Sequence, residues 1–215
     1  MILKFDEIER LENPYSAADR ANALLKKKTA KRLGKCRGSL ILILWLTDEV
    51  IKHVTALYRD MDKDAEQALL DVAKESYRQC AEGGTAPNRK WLSSKILHSP
   101  CPVTGYVYQN ESDRKKDKAI EAITSVKRSA DKADALIRNV KYRQTQTEYY
   151  TDYVTDMAML QAYQDAGVKK VKWLTMKDEK TCADCKDLDG KVFPIDAVPD
   201  KPHPRCRCRI VPVKE

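Results

Sequence analysis

Apolar residues recur at intervals of three and four along most of the chain. Leu46, Val50, Val54, Leu57 and Met61 form one such run, continuing from the most apolar stretch, SLILILWL at 39–46. Spacing of this kind collects side chains on one helix face and predicts a buried helix over about residues 40–58. Ala65, Leu69, Val72, Ala73 and Tyr77 repeat the pattern and predict a second helix over 62–80, closed by the glycines and proline of AEGGTAPNRK. Ahead of both, Asn13-Pro14 and YSAADRANALLKKKTAKRL read as a capped helix start, with Ser16 at the cap and Asp19 three positions on. Gly34 and Gly38 are expected to end that helix. Residues 98–113, HSPCPVTGYVYQNESD, are dense in turn formers, with one short strand expected at 106–108. From near Ser112 to Arg143 the spacing predicts a long, strongly charged amphipathic helix. The next helix carries Tyr150, Val154, Met157, Leu160 and Tyr163 on one side, with Gly167 as its C-cap. Beyond it the period changes: VKKVKWLTM, KVFPI and RCRIVPV predict three short strands.

The pattern is that of an α+β protein, a mainly helical N-terminal body followed by a small mixed unit of short strands. It divides into a helical N-terminal region (1–110), long amphipathic helices (111–166) and a Cys/His-clipped strand unit (167–215). A length of 215 residues fits one large or two small domains with a real core. Charged residues make up 33%, with seven glycines and nine prolines, which favours long helices over a sandwich. SLILILWL is eight residues long, against the roughly 20 needed to span a bilayer. MILKFDEIER has acids where a secretory leader needs a basic and then an apolar run, so neither a leader nor a membrane segment is expected.

The net charge of +8 calls for an acidic partner: nucleic acid, an acidic protein surface or an anionic membrane. Between residues 26 and 37 there are seven basic residues and no acid, including Lys26, Lys27, Lys28, Lys31, Arg32 and Lys35. Such a run can grip phosphates, or simply place cations near the carbonyl end of a helix. Lys115, Lys116 and Lys118 form a second basic group.

Soft ligands crowd into the last forty residues. Cys182 and Cys185 form a C-x2-C pair, His203 and Cys206 an H-x2-C pair, and Cys208 follows two positions later. Thiolates and imidazoles are what zinc prefers, and a pair two residues apart can hold one ion from a tight turn. Cys182, Cys185, His203 and Cys206 supply the four ligands of a closed structural site, with Cys208 able to replace His203 or Cys206. One or two disulfides, or packed thiols, are the competing readings. A strand unit of some fifty residues buries too little apolar surface to stand alone, so a metal clip would help hold it. Seven cysteines with no leader argue against a secreted disulfide framework, and the scattered Cys36, Cys80 and Cys101 read as small buried hydrophobes. A redox dithiol fits poorly: no βαβ pattern surrounds the pair, and Asp187 and Asp189 are expected to raise the thiol pKa. A catalytic zinc needs an open position and a base, whereas His53 and His98 are distant in sequence. No HExxH, GxSxG or P-loop pattern occurs.

Trp173-Leu-Thr, Asp178, Cys182-x-x-Cys185, Leu188-Asp-Gly-Lys-Val-Phe193, His203-Pro-x-Cys206-Arg-Cys208 and Pro212 together form a specific signature. It resembles the C-terminal signature of the phage head morphogenesis family, minor capsid proteins akin to the phage Mu F protein. Thr147-Glu148 and AYQDAGVKKVKW resemble the helix and strand ahead of that signature, so the likeness covers about residues 144–213. The resemblance implies a low-copy virion protein of a tailed phage, made in the host cytoplasm and sited in the head interior or at the portal vertex. Its implied partners are the portal protein, the major capsid protein and packaged DNA. It carries over no catalytic residue. The first expectation is therefore a structural, non-enzymatic minor head protein that holds zinc and assists assembly and DNA packaging or delivery. The second is a zinc-knuckle nucleic-acid module, with Arg205, Arg207 and Arg209 sharing one strand face and reaching phosphate. The third is a maturation nuclease or protease.

Overall fold

The computed structural model describes residues 2–3, 13–43, 47–126 and 128–213. Four long helices dominate: α1 (Ser16–Ile43), α2 (Thr47–Cys80), α4 (Tyr108–Ser125) and α5 (Ser129–Asp165). The short α3 (Arg89–Leu92) continues into a π-helical turn, Ser93–Leu97. Ile2–Leu3 (β1) and Ala81–Glu82 (β2) pair antiparallel. A three-stranded antiparallel sheet closes the chain, ordered β4-β3-β5 from β3 (Lys170–Leu174), β4 (Val192–Pro194) and β5 (Arg209–Pro212), with the six-residue α6 (Ala183–Leu188) between β3 and β4.

The three expected strands are present, and the helical body is built from fewer, longer helices than the spacing suggests. Gly34 and Gly38 do not end α1; both lie within it. Glycine inside a helix costs about 0.5–1 kcal/mol, and α1 offsets this by packing on α2 and α5. The run at 39–46 lies outside the described residues for positions 44–46 and for the side chains before them. The helix expected to span it is instead the end of α1 and the start of α2. The helices expected at 40–58 and 62–80 share α2, whose buried face runs Val50, Val54, Leu57, Met61, Ala65, Leu69, Val72, Ala73 and Tyr77. Ser16, the expected cap, is the first residue of α1; ahead of it Asn13 forms a turn in which its Oδ1 accepts from the Tyr15 N–H at 2.9 Å and its side-chain amide donates to Asp19.

The long charged helix is also redrawn. It splits into α4 and α5, because Val126 and Arg128 adopt extended backbone. The hydroxyls of Thr124 and Ser125 turn back on the carbonyls of Ile120 and Ala122, at 2.9 and 3.2 Å, as the helix closes. The lost helical register is replaced by side-to-side packing of α4 on α5. At the other end α5 absorbs the next expected helix, so 37 residues run without a break, about 55 Å. Gly167, at φ +79°, ends it as expected. The expected strand at 106–108 is a single bridge, Pro100 to Val107, around the turn in which Gly105 donates to the Cys101 carbonyl.

Two apolar clusters hold the fold. One packs Val50, Val54, Leu57 and Tyr58 of α2 against Ala119 and Ile123 of α4 and Leu136 and Val140 of α5. The other joins Leu69 and Tyr77 of α2 and Val154 and Tyr163 of α5 to Val171, Trp173, Ile210 and Val211 of the sheet. Trp173, Val171 and Tyr163 are fully buried there. Between the clusters Arg143, 2% exposed, donates to Asp62 (2.9 Å), Thr147 (2.7 Å) and Ser112 (3.3 Å) and lies 4.5 Å from the Tyr108 ring centre, tying α2, α4 and α5 together.

Candidate metal centre

Two loops bring the soft ligands together. In the first, Asp178 Oδ1 accepts from the Lys180 N–H and the Thr181 hydroxyl, and Asp189 Oδ1 accepts from the Thr175 N–H at 2.9 Å. Both carboxylates thus cap backbone amides. Gly190, at φ +75°, lets its N–H reach the Trp173 carbonyl at 2.8 Å, so the end of α6 is pinned to β3. Cys182 is the N-cap of α6, and its Sγ accepts from the Cys185 N–H at 3.4 Å. In the second loop Arg205 takes φ +59°, a left-handed turn between His203 and Cys206.

The donors form two overlapping triplets, each with its ligand atoms within 4.8 Å of one another. One is Cys182, Cys185 and His203; the other is Cys185, Cys206 and Cys208. Cys185 belongs to both and is 1% exposed. Its Sγ lies 3.4 Å from Cys206 Sγ and 3.9 Å from His203 Nε2. Two thiolates on one tetrahedral zinc sit about 3.8 Å apart, given Zn–S bonds of about 2.3 Å. The spacing and the donor set both fit such an ion. His203 Nδ1 lies 3.0 Å from the Pro204 carbonyl, which leaves Nε2 facing the thiols.

Electrostatics separate the thiols. Hydrogen bonding from Cys208 pulls Cys206 down to about 5. Burial pushes Cys185 up to about 12, and the Cys206 neighbour raises Cys208. Cys182 is held below the ordinary thiol value by the Cys185 N–H, and His203 is raised by its contact with the Pro204 carbonyl. The expectation that nearby acids would raise the first pair therefore fails at Cys182. The Asp189 carboxylate is taken up by Thr175 and Lys177, and the helix-start N–H decides instead.

The ligand loops rest on α5 through a support that no motif announced. Lys201, between the loops and 9% exposed in its side chain, donates to the Cys206 carbonyl at 3.2 Å and pairs with Asp156 at 2.8 Å. Tyr15 Oη joins this pair and reaches the Cys208 carbonyl at 2.9 Å. Arg205 pairs with Glu148 at 2.8 Å, and Arg207 with Asp178 at 2.7 Å. Asp152 lies between Glu148 and Asp156 along the helix, and burial pushes its carboxyl up to about 7. The signal was the i, i+4, i+8 spacing of Glu148, Asp152 and Asp156, which puts three acids on one helix face. Beside the centre runs a groove lined in part by Tyr153, Met157 and Leu160 of α5, Val198, His203 and Cys206.

Other candidates fall elsewhere. His53 Nδ1 donates to the Glu49 carbonyl within α2, and His98 is exposed beyond the π-turn. Cys36, Cys80 and Cys101 are buried. Of the basic residues singled out, Lys26 pairs with Glu148, Lys28 with Asp64, and Arg32 with Asp60 and Asp64. Lys27 and Lys31 are exposed on α1, and Lys35 and Arg209 have partners of their own. The three arginines do not share a strand face, since β5 begins only at Arg209.

Residues 111–211 match the model of the Phage Mu protein F like family. The match supports a phage head morphogenesis family for this segment. The Mu F-like segment begins inside α4 and takes in α5, both ligand loops and the sheet up to Val211, so the Cys/His cluster lies within it together with Asp156 and Lys201, while Tyr15 reaches it from outside. Comparison with curated proteins and with solved structures gave no match. Among the described residues no helix is long and apolar enough to cross a membrane.

Proposed function

We propose that the protein is a structural minor head protein of a tailed phage, working within the virion in several copies. It docks on the portal or the inner capsid and assists head assembly and DNA packaging or delivery. The observation that carries this reading is the Mu F-like match over the segment that contains the Cys/His centre. In this reading Cys182, Cys185, His203 and Cys206, with Cys208 as the alternative ligand, hold one structural zinc ion. When bound, the ion supplies cross-linking between the two loops and no reactive chemistry. The chain's own residues supply the rest: Lys201 and Arg205 fasten the second loop to α5, and Asp189 and Gly190 fasten the first to β3. The result is a rigid surface standing on a long helix, as a docking protein needs. A base-reading role is less well supported, because Trp173 is fully buried and Phe193 opposes Val171, also fully buried, on the same side of the sheet.

The test is fractionation of phage particles that carry a tagged copy. Co-migration with heads or portal-containing particles, with about one zinc per copy and free thiols on denaturation, is the expected outcome. A protein absent from every particle fraction overturns the head assignment. Particles that hold it with paired disulfides and no metal overturn the zinc assignment alone.

A further inference from the structure

The helix α5 carries more apolar surface than its buried face uses. Beside the face that meets α2 and the sheet, Tyr142, Tyr149, Tyr153, Met157 and Leu160 fall within about 80° of one another around the helix. Tyr142 is 52% exposed and the other four are half-buried. From Tyr149 to Leu160, about 17 Å of helix, this stripe lines the groove beside the Cys/His cluster. Pro102 and Val103, and Val198 and Pro199 ahead of the second ligand loop, line it as well.

The uncommitted charge of this groove is negative, although the chain as a whole carries +8. Lys201 is taken by Asp156 and Arg205 by Glu148, both at 2.8 Å. The two ring nitrogens of His203 face Cys185 and the Pro204 carbonyl. Asp152, half-buried, and Asp200, exposed, also line the groove and have no hydrogen bond or ion pair among the described residues. A carboxylate held without a partner in an apolar groove is costly, and burial pushes Asp152 up to about 7.

We propose that the groove is the docking site for a segment of a partner protein that lays apolar side chains on the α5 stripe and sets a lysine or arginine against Asp152. Tyrosine and methionine are enriched where proteins meet, and an apolar segment laid in a groove is a recurring mode of recognition. A cation arriving here meets a carboxylate that no side chain of this chain engages. A nucleic acid or an anionic lipid surface would instead bring phosphate against two unpaired carboxylates. The proposal rests on the docking role above for the source of the partner, a head protein, and does not need the zinc ion.

Photo-cross-linking in infected cells tests it, with benzoylphenylalanine in place of Tyr149 or, in a second variant, of Val103. The linked peptide is sequenced by mass spectrometry, and is expected to be one apolar segment of another phage protein with a lysine or arginine close by. A synthetic peptide of that segment is then titrated against the purified full chain by fluorescence anisotropy. Asp152→Asn removes a charge the fold leaves unpaired, so the variant is expected to fold, and it is expected to bind the peptide about tenfold more weakly. Replacing the cation of the peptide with glutamine is expected to cost as much, and the two changes together little more than either. The proposal is overturned by no cross-link from either position, by the same cross-link from a probe at Lys31 on α1, or by a linked segment that comes from a second copy of this chain. A segment without a cation, or an affinity that ignores Asp152→Asn, overturns it too. A segment that meets these terms but belongs to a host protein upholds the groove and overturns the head assignment. A protein found in head fractions that gives no groove cross-link overturns the groove alone.

Discussion

Cys185 is the donor common to both triplets, so Cys185→Ser separates a metal clamp from a merely packed cluster. The change keeps nearly the same shape and removes the soft ligand. Without metal, the cost is that of a hydroxyl buried at a 1% exposed position among thiols, about 1–3 kcal/mol. An unfolding entropy of about 2.1 cal/mol/K per residue makes each kcal/mol worth about 2 °C in Tm for a chain of 215 residues. The variant in chelator should thus melt roughly 2–7 °C below the wild type. With free zinc at a thousand times its Kd, the wild type gains about 4 kcal/mol by linkage, or about 9 °C. The variant keeps at most two donors of either triplet and should gain almost nothing. The assay is thermal unfolding of both proteins, each with chelator and with buffered zinc, alongside metal content after dialysis. A variant whose Tm rises with zinc as far as the wild type's would refute the clamp. So would a wild type that ignores both zinc and chelator.

Three further outcomes follow from other parts of the structure. Arg143→Met strands Asp62, which is one-fifth exposed and so partly rescued by water; the expected loss is about 3 kcal/mol in denaturant unfolding, largely recovered by adding Asp62→Ala. A loss below about 1 kcal/mol would remove this bridge from the account of the bundle. Asp152 titrates near 7 when folded and near its ordinary 3.9 when unfolded, so the native state binds the extra proton and stability falls as pH rises from about 4 to about 7. Asp152→Asn should therefore raise Tm at pH 8 and leave it unchanged at pH 4; an equal shift at both would point to packing instead. Gly167→Ala forces a side chain into φ +79° and should cost about 1 kcal/mol by chemical denaturation, with no change in metal binding.

Much of this protein was legible from residue order alone. Spacing of three and four placed the buried faces of α2 and α5, because a helix face needs only local periodicity. Alternation placed the three strands for the same reason. The clustering of Cys182, Cys185, His203, Cys206 and Cys208 was legible because soft side chains are few in kind and their close pairs in sequence share a turn.

What the sequence could not decide was where helices stop and which charges meet. Gly34 and Gly38 look like breaks, yet packing on α2 and α5 carries the helix through them. Val126 and Arg128 look helical, yet both are extended, and α4 buries Ala119 and Ile123 against α5. The basic run of α1 reads as free charge until Asp60, Asp64 and Glu148 arrive from other helices. Lys201 reads as a loop lysine until Asp156 and Tyr15 close around it. Periodicity is a property of neighbours along the chain, so sequence determines it. Charge pairing and helix ends depend on groups tens of residues away, and only the folded chain brings those groups within reach.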